Sequence, residues 1–336
     1  MRKILFILFV ALMTAVSTQA QQISVVLPDG TTSLHRTLPE AIKAANVDGS
    51  VIYLPGGGFP IPDDSGIHKK VTIIGIGHKS DSDNADGVTT ISGNLWFDNG
   101  SSGSAVMACY ITGDVNIGND GSEVNDVLIR YCNLNQVTVK NTQCKGTFVN
   151  QNYVRSGARF NGASGRIFNN VIGWIFDFDN GTVANNIITG YYCDRWSGAA
   201  DLYSAPLHSC DQTTITNNII LDRHNHGYYG TIHSGSNCIV NGNMSLYDFG
   251  DDFINVDGDG FNWKTVFKDY KGTTPASDFH FTDKYKEYDK KVGIYAGSDF
   301  NEDQMAPVPY ITFKSIPDQT DASGKLNIQI RVKAGK

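Results

Sequence analysis

The chain has 336 residues, with 27 Lys and Arg against 34 Asp and Glu, so its formal net charge is −7 at neutral pH. This balance argues against nucleic acid as a partner, because nucleic-acid-binding proteins carry clustered basic surfaces. Charged residues make up only 18% of the chain and 35 residues are Gly, which is typical of short strands joined by tight turns.

Residues 1–20 have the composition of a signal peptide. Arg2 and Lys3 form a positive start, residues 4–13 are apolar, and residues 18–20 (Thr-Gln-Ala) offer a small-residue cleavage site. The apolar stretch is shorter than a membrane-spanning helix, and no other run approaches eighteen apolar residues. We therefore expect an exported protein without a transmembrane segment, located in the periplasm, on the cell surface or outside the cell.

The N-terminal elements of the mature chain predict a capped repeat domain. A strand at residues 23–27 precedes a helix for which Thr37 is the expected N-cap and Glu40 the capping-box partner. Strands at residues 51–54 and 71–76 follow. A helix at the end of a β-solenoid covers the apolar interior and blocks the free strand edges.

An Asn beside or within an apolar triplet recurs through the middle of the chain. The last asparagines of these segments are Asn133, Asn152, Asn170, Asn186, Asn218 and Asn243, at spacings of 19, 18, 16, 32 and 25 residues. A repeat of this length is too short for two helices and fits one coil of a parallel β-helix. Asn accepts the left-handed backbone of a sharp corner, and amides about 4.8 Å apart can hydrogen-bond along a stack. The spacing of 32 corresponds either to two coils or to one coil with an insertion.

Three N-terminal segments follow one another in an order that is specific for a fold: residues 37–42 (Thr-Leu-Pro-Glu-Ala-Ile), 51–57 (Val-Ile-Tyr-Leu-Pro-Gly-Gly) and 71–75 (Val-Thr-Ile-Ile-Gly). This order resembles the opening of secreted right-handed β-helix proteins of the pectate lyase-like superfamily. With the Asn repeats, the resemblance covers about residues 30–300. It implies an all-β, right-handed parallel β-helix, but it selects no activity, because the superfamily contains lyases, hydrolases and non-catalytic proteins.

The repeat pattern ends near residue 257. Residues 279–281 and 292–297 resemble the closing segment of such solenoids, and the alternating segments 311–316 and 326–332 predict a short C-terminal β-hairpin. The expected organisation is a signal peptide at residues 1–20, a parallel β-helix domain at residues 21–304, and a linker with a hairpin at residues 305–336.

Two pairs of cysteines have positions that suggest a relationship. Cys109 and Cys132 occupy equivalent places in consecutive repeats, and we expect them to be buried as small apolar side chains. Cys193 and Cys210 flank the largest insertion, where a disulfide is as plausible as two free thiols.

Aromatic and polar side chains concentrate in the insertion at residues 191–212 and in the two repeats that follow. Aromatic rings of this kind can stack on the faces of sugars. The predicted substrate-binding residues are Trp196, Tyr203, His208, Tyr228 and Tyr229.

Charged residues recur at seven to nine positions after each Asn corner, and they would lie in one column if the repeats stay in register. The alternative is an ordinary solvated face with surface ion pairs. The residues of this column are Arg159, Asp177, Asp179, Asp194, Arg195, His226, Asp251 and Asp252.

The column suggests acid–base chemistry on a uronate polymer. A β-eliminating lyase needs a base for the proton α to the carboxylate, for which Arg195 or Arg223 is a candidate, and a cation such as Ca²⁺ to neutralise the carboxylate. The predicted Ca²⁺ ligands are Asp177, Asp179, Asp194, Asp251 and Asp252.

A glycoside hydrolase is the less favoured enzyme. Residues 250–252 (Gly-Asp-Asp) and 225–227 (Asn-His-Gly) resemble two signatures of polygalacturonases, which makes His226 a further catalytic candidate. The two segments occur in the reverse order, however, and the other two signatures of that family are absent. A metal site formed by His224 and His226 with His208 or His233 is a further possibility, although two His on a surface loop are the simpler interpretation.

The sequence therefore predicts an exported monomer that binds or degrades extracellular, acidic polysaccharide, with Ca²⁺-assisted β-elimination as the expected reaction if it is an enzyme. The alternative is a non-catalytic glycan-binding or structural surface solenoid.

Overall fold

The computed structural model describes residues 22–63, 65–79, 87–190, 206–221, 232–233, 236–245, 253–255, 263–297, 300–317, 319–321 and 323–334. In this part of the chain β-strands dominate, and most of them lie in two long parallel sheets, A and B. The all-β prediction is confirmed, and the parallel sheets are consistent with a parallel β-helix. No helix in the described ranges has the length and apolar character needed to cross a membrane. The predicted signal peptide lies outside the described residues.

Sheet A contains eleven strands. Strand β1 pairs antiparallel with β2 and β3, and every later pair is parallel. In chain order the strands are β1 (Ile23–Val26), β2 (Thr32–His35), β3 (Ser50–Tyr53), β5 (Val71–Ile74), β8 (Ala105–Met107), β11 (Leu128–Arg130), β13 (Thr147–Asn150), β15 (Gly165–Phe168), β18 (Thr182–Ala184), β21 (Thr214–Thr216) and β24 (Ile239–Asn241).

Sheet B contains fifteen strands in two arms, which β12 (Asn133–Val139) and β14 (Tyr153–Ala163) join by running through both. The other strands of the first arm are β4 (Gly57–Pro60), β6 (Thr89–Ser92), β9 (Tyr110–Ile111), β16 (Val171–Ile172), β19 (Ile187–Ile188), β22 (Ile219–Ile220), β25 (Asn243–Ser245) and β26 (Phe253–Asn255). The other strands of the second arm are β7 (Leu95–Phe97), β10 (Val115–Ile117), β17 (Ile175–Phe178), β20 (Leu207–His208) and β23 (Ile232–His233).

The chain passes from sheet A to the first arm and then to the second arm of sheet B, and we call each such passage a repeat. Equivalent residues of successive repeats pair with one another, as Ile129 does with Val149 and Val149 with Ile167. These three side chains are fully buried. Burying one such aliphatic side chain stabilises the fold by about 1.5–3 kcal/mol. The stacked inner positions therefore form one continuous apolar core.

A buried row of asparagines marks the corner between sheet A and the first arm. Each side-chain amide except the last donates to the Oδ1 of the next asparagine at 2.9–3.0 Å. Each backbone N–H before the last also donates to the next Oδ1 at 2.9 Å. The members of this Asn ladder are Asn152, Asn170, Asn186, Asn218 and Asn243.

The residue before each ladder asparagine makes the corner itself. Asn169, Asn185 and Asn217 have φ of +56°, +58° and +54°, and Gly242 has φ +65°. In each Asn-Asn pair, therefore, the first residue accepts the left-handed backbone and the second forms the ladder.

The alignment of Asn133 with the other five asparagines is wrong. Asn133 pairs with Tyr110 and Tyr153, one position beyond the corner. Cys132 occupies the ladder position instead, and its backbone N–H donates to Oδ1 of Asn152 at 2.9 Å. Because side chains alternate between faces, a shift of one residue exchanges a ladder residue for an outward one.

The cysteines in the described residues are free thiols. Cys109 and Cys132 are fully buried, one repeat apart, which confirms their equivalent positions. Burial raises the pKa of the Cys132 thiol to about 12. Cys210 is also a buried free thiol, whereas Cys193 lies outside the described residues.

The predicted capping helix is α1 (Leu38–Ala44). Oγ1 of Thr37 accepts the backbone N–H of Glu40 at 3.4 Å, and Oε2 of Glu40 accepts the backbone N–H of Arg36 at 3.4 Å. Leu38 and Ala41 are fully buried and belong to the apolar core. The helix therefore covers the N-terminal end of the core.

Residues 263–297 and 300–306, which we call the strap, return along the Asn corner. They contain α2 (Trp263–Val266), β27 (Phe267–Asp269), β28 (Asp278–Phe281) and a 3₁₀ helix (Asp283–Tyr288). Outside the strap, a shorter 3₁₀ turn lies at Asn119–Gly121. The strap covers an outward apolar row of the first arm, formed by Tyr153, Val171, Ile187, Ile219 and Met244.

Backbone contacts fix the direction of the strap. The N–H of Gly293 donates to the carbonyl of Asn217 at 2.8 Å, and the amide of Asn169 donates to the carbonyl of Ile294 at 2.8 Å. The N–H of Asn301 then donates to Oε1 of Gln151 at 2.6 Å. The strap thus runs backwards past earlier and earlier repeats.

An antiparallel hairpin follows the strap, where the alternating sequence predicted one. It consists of β29 (Tyr310–Ser315) and β30 (Gln329–Lys333), with Tyr310 opposite Lys333 and Ser315 opposite Gln329.

Candidate functional site

The candidate site lies on the outer face of the second arm of sheet B. The residue before each site position, such as Ile175 or Leu207, points into the core and is fully buried. The intervening positions pair directly from repeat to repeat and form one outward row. This lateral row consists of Trp96, Asn116, Thr138, Arg159, Phe176 and His208.

A cation and aromatic rings lie side by side in the lateral row. The guanidinium of Arg159 lies 5.8 Å from the ring centroid of Phe176, and the rings of Phe176 and His208 meet edge-on at 5.6 Å. Trp174 stacks on Phe176 with centroids 4.3 Å apart and an interplanar angle of 21°. Arg159 is 40% exposed, whereas Phe176 and Trp174 are only 7% and 8% exposed. The strip that these side chains form therefore offers a ligand chiefly the guanidinium, supported by the buried rings.

Asp177 lies beside this strip and pairs with Arg159. Nε of Arg159 lies 3.5 Å from Oδ2 of Asp177, and the two side chains are 40% and 35% exposed. A half-exposed pair at this distance contributes about 1 kcal/mol or less to stability. The ion pair therefore orients the guanidinium of Arg159 but binds it only weakly.

A local distortion brings Asp177 back towards Arg159. Arg159 pairs with Phe176, but the register between β14 and β17 then shifts before Ala163 pairs with Phe178. Asn161 and Asp177 have φ of +48° and +53°, which marks a bulge on one strand and a bend on the other.

Gly157 allows Trp174 to lie flat on the sheet. A Cβ atom at Gly157 would lie 2.3 Å from Cδ2 of Trp174 and 2.4 Å from its carbonyl oxygen. No larger residue fits beneath the indole ring without moving it. The aromatic strip therefore depends on a glycine in the preceding repeat.

Asp179 has a structural role at the same edge. Its Oδ1 accepts the backbone N–H of Asp211 at 3.2 Å. Oδ1 of Asp211 in turn accepts the backbone N–H and the hydroxyl of Ser236 at 2.7 and 2.8 Å. The two carboxylates therefore tie successive repeats together.

Asp177 and Asp179 are the two predicted Ca²⁺ ligands that the structure describes. Carboxylate oxygens are the ligand type that Ca²⁺ prefers. One carboxylate, however, pairs with Arg159 and the other caps a backbone N–H. Within the described ranges no group of three or more His, Cys, Asp or Glu side chains could hold a metal ion. The carboxylates of Asp177 and Asp179 therefore do not by themselves form a calcium site.

Of the predicted site residues, His208, Asp177 and Asp179 are described, and all three lie at the second arm of sheet B. The remaining predicted residues lie outside the described residues: Asp194, Arg195, Trp196, Tyr203, Arg223, His226, Tyr228, Tyr229, Asp251 and Asp252. His224, of the alternative His site, also lies outside them.

The strands that precede these undescribed segments are in register. Ile188 pairs with Ile220, and Ile220 pairs with Ser245. The strands Ile187–Ile188, Ile219–Ile220 and Asn243–Ser245 therefore end at equivalent positions of successive repeats. The strands β20 and β23, which follow the first two of these strands along the chain, pair within the second arm, and His208 of β20 belongs to the lateral row.

Two aromatic residues of the strip were missed from the sequence. Trp174 and Phe176 alternate with the apolar Ile175, which is a strand signal with two aromatic residues on one face. Counting offsets from the Asn corner selected the neighbouring Asp177 instead.

No protein-family model matches this chain, and neither a curated protein nor a solved structure shows significant similarity to it.

Proposed function

We propose that this chain is an exported right-handed parallel β-helix protein of the pectate lyase-like type, and that it binds or degrades an acidic polysaccharide along the lateral row. The stacked parallel strands, the Asn ladder and the N-terminal helix support the architecture. The three N-terminal segments that resemble this superfamily support the assignment.

The observation that carries the function is the contact between the Arg159 guanidinium and the Phe176 ring. Phe176 is only 7% exposed and therefore supports the guanidinium, which can bind a carboxylate through two parallel hydrogen bonds. A uronate residue presents such a carboxylate. Because the ion pair with Asp177 is weak, a substrate carboxylate can replace it at little cost.

If the protein is catalytic, the proposed reaction is β-elimination. Arg195 or Arg223 would take the proton α to the uronate carboxylate, and the glycosidic oxygen would leave as the double bond forms. His226 is a further candidate for proton transfer. The candidates for the base and for the Ca²⁺ ligands are those that the sequence predicts.

A panel of uronate polymers tests the proposal. Wild-type protein is expected to be retarded in gels that contain polygalacturonate or alginate. Arg159→Gln should weaken that binding at least tenfold without changing the melting temperature, because the ion pair contributes little to stability. Arg331→Gln is the matched control, since Arg331 also lies over a phenylalanine, 5.0 Å from the ring of Phe313 in the hairpin. Failure of the wild type to bind any polymer of the panel would reject the proposal.

The same incubations distinguish the two forms of the proposal. Unsaturated ends, followed by their absorbance with and without Ca²⁺, indicate a lyase. Their loss in Arg195→Ala or Arg223→Ala would identify the base. Binding without unsaturated ends in either condition would identify the alternative, a non-catalytic glycan-binding solenoid.

A further inference from the structure

A groove of about 970 Å³ lies between sheet A and the strap. Its walls come from two sources: Arg130, Phe148 and Phe168 on sheet A, and His280, Tyr295 and Glu302 on the strap. None of the residues of the lateral row lines this strap groove. It is therefore a separate candidate site with its own chemistry.

The sheet wall is aromatic and carries Arg130, and a second cation, Arg166, lies 4.4 Å from the ring centroid of Phe148. Arg130 pairs with Asn150, and Asn150 with Phe168, so these residues are adjacent outward positions of successive repeats. The rings of Phe148 and Phe168 meet edge-on at 5.9 Å. No acceptor in the described part of the chain hydrogen-bonds the buried Nε of Arg130. This wall offers apolar ring surface together with the guanidinium of Arg130, which lies 4.4 Å from the ring centroid of Tyr131.

The strap wall is a fixed hydrogen-bonded cluster. The rings of His280 and Tyr295 stack with centroids 4.3 Å apart, and the hydroxyl of Tyr295 donates to Oε1 of Glu302 at 2.8 Å. The ring Nδ1 of His280 lies 2.7 Å from Oδ1 of Asp278. Burial, followed by the hydrogen bond to Glu302, raises the pKa of Tyr295, so its phenol stays protonated and keeps donating.

Two contacts hold this wall against the repeats. The backbone N–H of Asn301 donates to Oε1 of Gln151 at 2.6 Å, and Nζ of Lys79 donates to the carbonyl of Glu302 at 3.0 Å. The carboxylate of Glu302 therefore projects from a backbone that is tied down on both sides. Preorganised groups bind a ligand without first losing conformational freedom.

The charge of the groove selects against an anionic ligand. Its described lining holds two basic side chains, Arg130 and Lys290, and three acidic ones, Asp289, Glu302 and Asp303. Among the Asp, Glu, Lys and Arg side chains of this lining, the acidic ones exceed the basic ones by one. Carboxylates accept hydrogen bonds from hydroxyl groups, whereas they repel the carboxylates of a uronate. The groove therefore suits a ligand with many hydroxyl groups and no charge.

We propose that the strap groove binds a neutral oligosaccharide, with the apolar face of a sugar ring on Phe168 and Phe148 and its hydroxyl groups on Glu302 and Arg130. The volume lies within the range of about 300–1,000 Å³ that is typical of small-molecule sites. This site does not depend on the function proposed for the lateral row. It gives the protein a second carbohydrate specificity, for neutral rather than acidic chains.

Calorimetric titration of the full mature chain tests this proposal. The neutral probes are cellohexaose, xylohexaose and mannohexaose, and hexagalacturonate is the anionic counterpart. We expect at least one neutral probe to bind, and we expect Phe168→Ala and Glu302→Gln each to weaken that binding at least tenfold. Glu302 is 56% exposed, so Glu302→Gln keeps the fold intact even if Phe168→Ala does not.

Arg159→Gln on the lateral row is the matched control and should leave the binding of the neutral probe unchanged. The proposal is overturned if no neutral probe binds, or if Glu302→Gln binds the neutral probe as tightly as wild type. It is also overturned if Glu302→Gln or Phe168→Ala abolishes the binding of hexagalacturonate, because the groove would then hold the acidic chain. Loss of uronate binding in Arg159→Gln alone concerns the lateral row, so the two proposals can fail independently.

Discussion

The side-chain amide of Asn186 donates a hydrogen bond to Oδ1 of Asn218 at 2.9 Å, although 32 residues separate the two. Ile187 also pairs directly with Ile219. The spacing of 32 is therefore one repeat with an insertion and not two repeats. Sheet A also stays in register across this spacing, since Thr182 pairs with Thr214.

Replacing Asn218 should be among the most destabilising single changes. Its amide donates to the carbonyl of Val183 and to Oδ1 of Asn243, both at 2.9 Å, and its Oδ1 accepts from Asn186. Asn218→Ala leaves these buried partners unsatisfied, and each unsatisfied group costs about 1–3 kcal/mol. We expect a loss of about 3–5 kcal/mol in the free energy of unfolding, measured by urea denaturation.

The preceding residue provides the control. Asn217 has φ +54°, and Gly242 occupies the equivalent corner of the next repeat with φ +65°. Asn217→Gly should therefore change the free energy of unfolding by about 1 kcal/mol or less. Equal effects of the two substitutions would show that the ladder does not carry the stability assigned to it.

The sequence predicted the stacked repeats because a buried amide row needs the same residue type at every turn. It did not predict that Cys132 replaces Asn in one repeat, since a small buried thiol fits the same position. The mistaken choice of Asn133 followed from matching residue type without the alternation of faces.

The candidate site was predictable only in part. Arg159 and Asp177 were expected on one face and form an ion pair there. The bulge at Asn161 and the glycine beneath Trp174 could not be read from the sequence, because both depend on which strand of the next repeat lies opposite. The strap groove depends on contacts between residues 125 or more positions apart, which local patterns do not encode.

Gly157 should be intolerant of even a methyl group. A Cβ there would meet both the indole ring and the carbonyl of Trp174, so Gly157→Ala must displace part of the aromatic strip. We expect a loss of about 2–3 kcal/mol in the free energy of unfolding and a change in the tryptophan fluorescence.

Gly58→Ala is the matched control, since Gly58 lies in a strand with nothing within 4 Å of its virtual Cβ. It should be neutral or stabilise the fold by up to about 1 kcal/mol. A neutral Gly157→Ala would mean that Trp174 does not lie flat on the sheet.

His78 should make the protein less stable in mild acid. Burial lowers the pKa of His78 from 6.5 to about 4. In the unfolded chain His78 binds a proton near pH 6.5, whereas in the folded chain it does so only near pH 4. The free energy of unfolding therefore falls as the pH decreases through this window. The shift corresponds to a loss of about 3 kcal/mol by pH 4.

The variant His78→Gln isolates this contribution. Its free energy of unfolding should fall less steeply between pH 6.5 and 4 than that of the wild type, whatever its stability at neutral pH. The exposed His68 provides the control, and His68→Gln should keep the wild-type slope. Identical slopes for wild type and His78→Gln would exclude His78 as the source.

Removing one aromatic ring should release the strap from the repeats. Phe279 is 2% exposed and packs against Tyr153, Phe267 and Tyr270, with ring centroids 5.4–6.4 Å apart. Replacing a buried phenylalanine by alanine costs about 3–5 kcal/mol. Because the strap covers an otherwise separate apolar row, we expect Phe279→Ala to open it locally and not to unfold the whole chain.

Amide hydrogen exchange measures this opening. The N–H groups of Gly293 and Asn301, which bond to the repeats, should lose protection by a factor of about 100 or more, while that of Val149 in sheet A stays protected. Phe313→Ala in the hairpin, where the side chain is 38% exposed, should leave all three amides unchanged. If Phe279→Ala accelerates exchange equally at all three amides, the strap and the sheets unfold as one unit. The apolar row under the strap would then be as essential to the repeats as their own core.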